Sequence, residues 1–188
     1  MALAVDWAGV AQQVVAGLSS GGTYATLAVA LVLIYRATGV INFAQGELAM
    51  FSTFVAWTLT QHGLTYWSAF AVTVAASFAG GIALGWGLAA ALGAVAGLMA
   101  APPLGSFDQN FMQPILLYAF AGAVLGGIDS ALGAVIGSLA LGVFLNLLGT
   151  YVSWIGTDLR QAAALGVILV VLLVKPSGLL GTGAVRRV

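Results

Sequence analysis

Two short stretches hold most of the side chains that could do chemistry. The first is Arg36, Asn42, Gln45 and Glu47, a guanidinium, two amides and a carboxylate within twelve positions. Long uncharged runs flank them, and an ionisable group at an apolar boundary must be paired or wet. One reading is a polar mouth or gate with Arg36 paired to Glu47. The other is that Arg36 snorkels to lipid headgroups while Glu47 sits in the first turn of a helix and favours its positive end. The second stretch is Gly126-Gly127-Ile128-Asp129-Ser130. It reads either as a tight turn in which Asp129 or Ser130 caps the next helix, or as a broken helix lining a transport path.

Other chemistry is excluded by composition. There is no cysteine and a single histidine, His62, which reads as surface decoration in a polar loop. That leaves no thiolate site, no multi-histidine metal site and no disulfide. No nucleophile stands beside a base, and no phosphate-cradling loop of the Walker type occurs. Net charge is zero, without a basic stripe, so nucleic acid has no electrostatic footprint here.

The elements that position these residues follow from where charge is missing. Residues 48–107 are sixty consecutive positions without Asp, Glu, Lys or Arg, and residues 7–35, 109–128 and 130–157 are equally bare. At ~1.5 Å per residue, the longest run makes on the order of 90 Å of helix, about three crossings of a ~30 Å hydrocarbon core. Charged residues are 5% and hydrophobic residues 62%. A membrane barrel would alternate apolar and polar over ~10-residue segments, and no such alternation is present. The expected fold is therefore an all-α, polytopic transmembrane helix bundle of about six to seven segments in one domain spanning residues 1–188.

Expected spans are 10–35, 44–60, two within 66–101, then 114–127, 131–149 and 161–174. The first has no Lys or Arg before it and carries Gln12, Gln13, Ser19 and Ser20, unlike a cleaved leader, so it is expected to remain. The break within 66–101 is expected among Gly80, Gly81, Gly85 and Gly87. Pro102-Pro103 should end the following helix. Segment 114–127 is short enough to be re-entrant. A cytoplasmic C-terminus places Lys175, Arg186, Arg187 and Arg36 inside and Arg160 outside. Trp7, Trp57, Trp67 and Trp154 fall near span ends, as interfacial anchors do. Asn146, inside an apolar run, should hydrogen-bond across helices.

Glycine supplies 26 residues, and Gly17/Gly21, Gly81/Gly85, Gly93/Gly97, Gly122/Gly126 and Gly133/Gly137 are each four apart. That spacing puts two small residues on one helix face and lets backbones approach closely.

Longer strings carry a resemblance. Gly17-Leu-Ser-Ser-Gly-Gly-Thr-Tyr24, followed by Tyr35-Arg-Ala-Thr-Gly-Val-Ile-Asn42-Phe-Ala-Gln45-Gly-Glu47, resembles the N-terminal signature of the branched-chain amino acid ABC transporter permeases. Ala90–Pro102, Ala119–Ser130, Gly133-Ala-Val-Ile-Gly137 and Lys175-Pro-Ser-Gly-Leu-Leu-Gly181 resemble the later segments of that family. The resemblance implies a multi-pass protein of the bacterial inner membrane, importing branched-chain amino acids or related small amides by ATP-driven alternating access. It implies as partners a second permease, two ABC ATPase subunits and an extracytoplasmic solute-binding protein. ATP would be bound by those partner subunits, so no cofactor and no catalytic residue is expected in this chain. Arg36, Asn42, Gln45 and Glu47 match the polar motif after the first span, and Gly126, Gly127 and Ser130 match the late glycine turn. The resemblance also implies a missing central segment: residues 1–85 and 86–188 look fused where the family has further helices and an ATPase-coupling loop. An internally deleted, non-transporting protein that still packs with a partner permease is the alternative expectation. A stand-alone channel is a third, and no filter-like string or charged ring favours it.

Overall fold

The computed structural model describes residues 6–83, 87–104, 110–152 and 157–181. Among these, every regular element is helical: α1 (Trp7–Thr38), α2 (Ala44–Gln61), α3 (Tyr66–Ala83), α4 (Gly87–Leu104), α5 (Met112–Gly126), α6 (Ala131–Tyr151) and α7 (Thr157–Val174). Helices satisfy their own backbone groups, which is what a chain with so little charge needs within lipid. Two of them, α1 and α6, are long and apolar enough to cross a membrane by themselves, and α3, α4, α5 and α7 contain shorter apolar stretches.

Several boundaries differ from the expected ones. Of the glycines at which a break within 66–101 is expected, Gly80 and Gly81 lie inside α3 and Gly87 opens α4, while Gly85 lies outside the described residues, as do Asp108, Trp154, Arg186 and Arg187. Pro102 and Pro103 occupy the last turn of α4, which runs on to Leu104 rather than stopping before them. Proline removes a donor from the ladder but fixes φ near a helical value, so the chain keeps its course for a residue after the bonds are lost. The expected loop over 150–160 is mostly helix, because α6 continues to Tyr151 and α7 starts at Thr157. α5 is 15 residues long, about 22 Å at 1.5 Å per residue, and so shorter than a ~30 Å core. Its first residue, Met112, is 2% exposed and packs in the central cluster with Leu27, Leu31, Ala96 and Ala100.

Glycine faces decide which helices touch. α1 and α6 form the most extensive contact and run antiparallel, with Gly17 against Val143 and Gly21 against Leu139 and Ser138. A β-carbon on Gly17 would stand 2.5 Å from the Val143 α-carbon, so the two backbones lie against each other. Gly142 answers from α6, set against Gly17 and Gly21. A second antiparallel seam joins α5 and α6, where Gly122 and Gly126 face Ser138 and Gly133, and Gly137 faces Gly122 in return. α2 and α4 run parallel, with Gly93 on Gln45 and Gly97 on Ala49 and Thr53. α3 returns along α4, Gly81 meeting Gly87 and Ala90. The expected structural role of Asn146 is seen: its Nδ2 donates to the backbone oxygen and Oε1 of Gln13 at 2.9 and 2.8 Å, pinning α6 to α1.

Large apolar side chains point outward instead, as they do in lipid. Leu173 and Val174 of α7 and Trp67 and Ile82 of α3 are well exposed. Trp7, Trp57 and Trp67 are exposed at helix ends, consistent with interfacial anchoring.

The α1–α6 seam makes a paired test. A methyl on Gly22 would meet nothing within 4 Å, whereas a methyl on Gly21 would meet the α6 backbone at 2.8 Å. Gly22→Ala should raise stability by roughly 0.5–1 kcal/mol through helix propensity. Gly21→Ala should lower it by about 1–3 kcal/mol through overpacking. Thermal unfolding midpoints in mild detergent, read by tryptophan fluorescence, check the opposite signs.

Candidate functional site

The first polar cluster divides. Arg36, in the last turn of α1, and Glu47, in the first turn of α2, are both exposed and form no ion pair with each other. The paired-gate geometry is therefore absent, while Glu47 does occupy the favourable end of its helix dipole. Asn42 and Gln45 turn inward. Asn42 Oδ1 accepts from the Ala44 N–H at 3.1 Å, and its buried Nδ2 has no partner. Gln45 is 0% exposed; its Nε2 donates to the Ala89 carbonyl of α4 at 2.5 Å, and its Oε1 is unpartnered. Of the four, Gln45 ties α2 to α4, Asn42 bonds locally at the start of α2, and Arg36 and Glu47 face outward.

The glycine cluster is a turn with a cap. Gly127 has φ 116°, a backbone value that favours glycine. Ser130 Oγ accepts from the Gly133 N–H at 3.0 Å and caps α6. The chain after α7 completes this turn. The N–H groups of Leu179 and Leu180 donate to the carbonyls of Leu125 and Gly126, both at 2.8 Å. These carbonyls belong to the last turn of α5 and have no partner within their own helix. Gly178 and Gly181 pack on Gly127. Gly126, Gly127 and Ser130 are thereby joined to the Lys175–Gly181 string, and no hydrogen bond links them to the Asn42–Glu47 stretch among the described residues.

A cavity with polar groups in its wall lies elsewhere, between α1, α4, α5, α6 and α7, with a volume of about 320 Å³. Ser19, Ser20, Thr23 and Tyr24 enter from α1, Tyr118 from α5, Asn146 from α6 and Arg160 from the first turn of α7. Met99, Pro114, Ile115 and Leu145 supply apolar wall. The Tyr24 and Tyr118 rings pack with centroids 5.1 Å apart and planes tilted by 53°. Arg160 lies over Gly149, where any side chain would collide with its guanidinium. Its Nε is buried without a hydrogen-bond partner. The lining offers a cation, two phenols, several hydroxyls and an amide, suited to hydrogen-bonding a small polar molecule. Among the described residues, no group of three His, Asp or Glu side chains is placed to hold a metal. A smaller cavity of about 230 Å³ lies between α2, α3 and α4, beside a 2.9 Å Ser52–Ser77 hydrogen bond.

Sequence reasoning missed the α1 and α7 walls of this cavity. The signal was present: Ser19/Thr23 and Ser20/Tyr24 are i, i+4 pairs, a polar stripe along an otherwise apolar helix. Arg160 read as a loop charge because α7 was expected to begin after it.

An all-α bundle of membrane type with an internal polar cavity is the build of a membrane permease. The chain matches the family described as "Branched-chain amino acid transport system / permease component" over residues 13–90 and 82–174, and it belongs to that family. It is 38% identical over 107 residues to the high-affinity branched-chain amino acid transport system permease protein LivH of Salmonella typhimurium. It is 37% identical over the same length to LivH of Escherichia coli K12 and to BraD of Pseudomonas aeruginosa. In each case the match covers 57% of this chain and 34% of the relative, so the chain spans about a third of the length of the curated relatives it matches. No solved structure matches it.

The Ser130 cap carries a prediction for the glycine turn. Ser130→Ala should cost about 1 kcal/mol and Ser130→Asp should restore most of it. Chemical denaturation in detergent, followed by helical circular dichroism, measures both.

Proposed function

We propose that the chain is a permease subunit of an ABC importer in a bacterial inner membrane, moving branched-chain amino acids or related small amides. Membership of the permease family carries this reading, and the cavity of about 320 Å³ between five helices supports it. In this reading ATP is bound and hydrolysed by two ATPase subunits, an extracytoplasmic binding protein delivers solute, and a second permease completes the path. The motion is alternating access. The helices that enclose the cavity rock so that it opens to one side and then the other, driven by ATPase closure. Its hydroxyls, amide and phenols replace the water that solute leaves behind.

A second reading keeps the assembly and drops the transport. Only three residues, 84–86, separate α3 from α4, and the two family matches adjoin there, over 82–90. Residues 48–107 carry no charge, whereas a loop that grips a soluble ATPase must sit in water. These observations favour a shortened, uncoupled subunit that still packs with a partner permease.

Co-purification separates the two. The tagged chain, expressed with its candidate permease and ATPase partners and extracted in mild detergent, should bring both if it is a coupled importer subunit. Partner permease without ATPase identifies the uncoupled form. Recovery of neither defeats both readings.

A further inference from the structure

The two substrate classes left open, amino acids and small amides, differ at one end: a carboxylate or a neutral carbonyl. The cavity wall bears on that difference. Arg160 is the one cation on the cavity lining among the described residues. Its Nε is buried without a hydrogen-bond partner, and no carboxylate pairs with it among those residues. Guanidinium does not lose its proton, so burial cannot neutralise it as it can a lysine. Gly149 provides the open surface on which the planar group rests; a β-carbon there would displace it. Arg160 is also close enough to interact electrostatically with the Tyr24 and Tyr118 phenols. A half-buried cation whose Nε is enclosed without a partner, beside a cavity of about 320 Å³, is a half-site for an anion.

Resting on the permease reading, we propose that Arg160 holds the carboxylate of the transported solute, so that the cavity selects a carboxylate-bearing amino acid over a neutral amide. The guanidinium fork matches a carboxylate with two parallel hydrogen bonds. Tyr24 and Tyr118, both on the cavity wall, supply aromatic rings whose quadrupoles attract the solute's ammonium group. Asn146 commits its Nδ2 to Gln13 and retains Oδ1 as an acceptor. Met99, Ile115 and Leu145 take the aliphatic end. At about 320 Å³, the space falls at the small end of the ~300–1,000 Å³ usual for ligand sites.

The test is equilibrium binding of radiolabelled L-leucine to the full chain in nanodiscs, with whatever partners co-purify, competed by isocaproate and by L-leucinamide. Isocaproate keeps the carboxylate and the whole carbon chain and lacks the ammonium; leucinamide keeps the ammonium and lacks the carboxylate. Isocaproate should compete, and leucinamide should compete at least tenfold less well than unlabelled leucine. Arg160→Gln should weaken leucine binding about tenfold or more and remove the preference, while Arg160→Lys retains part of it. Site-resolved phenylglyoxal labelling of the unmutated chain guards against a variant that fails to fold: leucine should protect Arg160 and leave Arg36 reactive. Equal competition by leucinamide, an unchanged preference in Arg160→Gln, or absence of protection overturns the carboxylate assignment and leaves the permease reading standing. Absence of saturable leucine binding in a chain that still co-purifies with permease and ATPase also overturns the assignment, and again spares that reading. Failure of the permease reading is registered separately, by loss of co-purification.

Discussion

In lipid the solvent does not drive helices together, because the surrounding tails are as apolar as the side chains they would bury. Association then rests on how closely backbones approach, and in this chain α6 is the element on which that approach depends. One of its faces, Gly142 with Ser138, meets Gly17 and Gly21 of α1. Another, Gly133 with Gly137, meets Gly122 and Gly126 of α5. Ser138 stands between the two seams, 0% exposed, its Oγ without a partner because its nearest neighbours are glycines with no side chain to answer it. α2, α3 and α4 join the bundle through α1 and α5 and through glycine contacts of their own, and the abundance of buried alanine follows from the same closeness.

Close seams also explain where space remains. α6 meets α1 and α5 along glycine, and the Tyr24 and Tyr118 rings pack against each other where α1 and α5 border the cavity. The gap is closed on its far side by α7 and its Arg160. Polar side chains also have a second use, at the cavity wall and away from it. Asn146 to Gln13, Gln45 to Ala89 and Ser52 to Ser77 each bind one helix to another. Bonds of this kind are worth on the order of 1 kcal/mol in a membrane; they fix register more than they supply stability.

The fold was largely legible because its two signals are strong ones. Absence of charge over 48–107 admits little but helix in a membrane, and i, i+4 glycine spacing names the contacting faces before any partner is known. Gly17/Gly21, Gly93/Gly97, Gly122/Gly126 and Gly133/Gly137 all lie at helix contacts. What the spacing could not say is which pairs meet, since every glycine face suits every other. The candidate site was less legible. Charge drew attention to Arg36 and Glu47, yet both are exposed, and a charge at a helix end is cheap to leave in water. Hydroxyl residues on α1 drew none, because Ser and Thr are ordinary in membrane helices, where they bond back to their own backbone. The pairing of Gly127 with the Lys175–Gly181 string is a contact between distant segments, and a single sequence carries no record of such contacts.

The junction at 84–86 has a consequence for what the chain can present to others. α4 lies parallel to α2 with α3 returning between them, so the direction of every later helix follows from two short connections. α4 spends Gly87 and Ala90 on α3. Its Gly93 and Gly97 go to α2, and Met99 receives Thr26 Oγ1 of α1 at 3.9 Å. Little of that helix is left for another subunit. Exposed apolar side chains lie on other helices, among them Phe51 of α2, Ile82 of α3, Leu132 of α6 and Leu173 of α7. Arg160 on α7 lines the cavity, so α7, like α1 and α6, reaches both the cavity and the outer surface. Any displacement of α7 by a neighbour moves the guanidinium relative to Tyr24 and Tyr118.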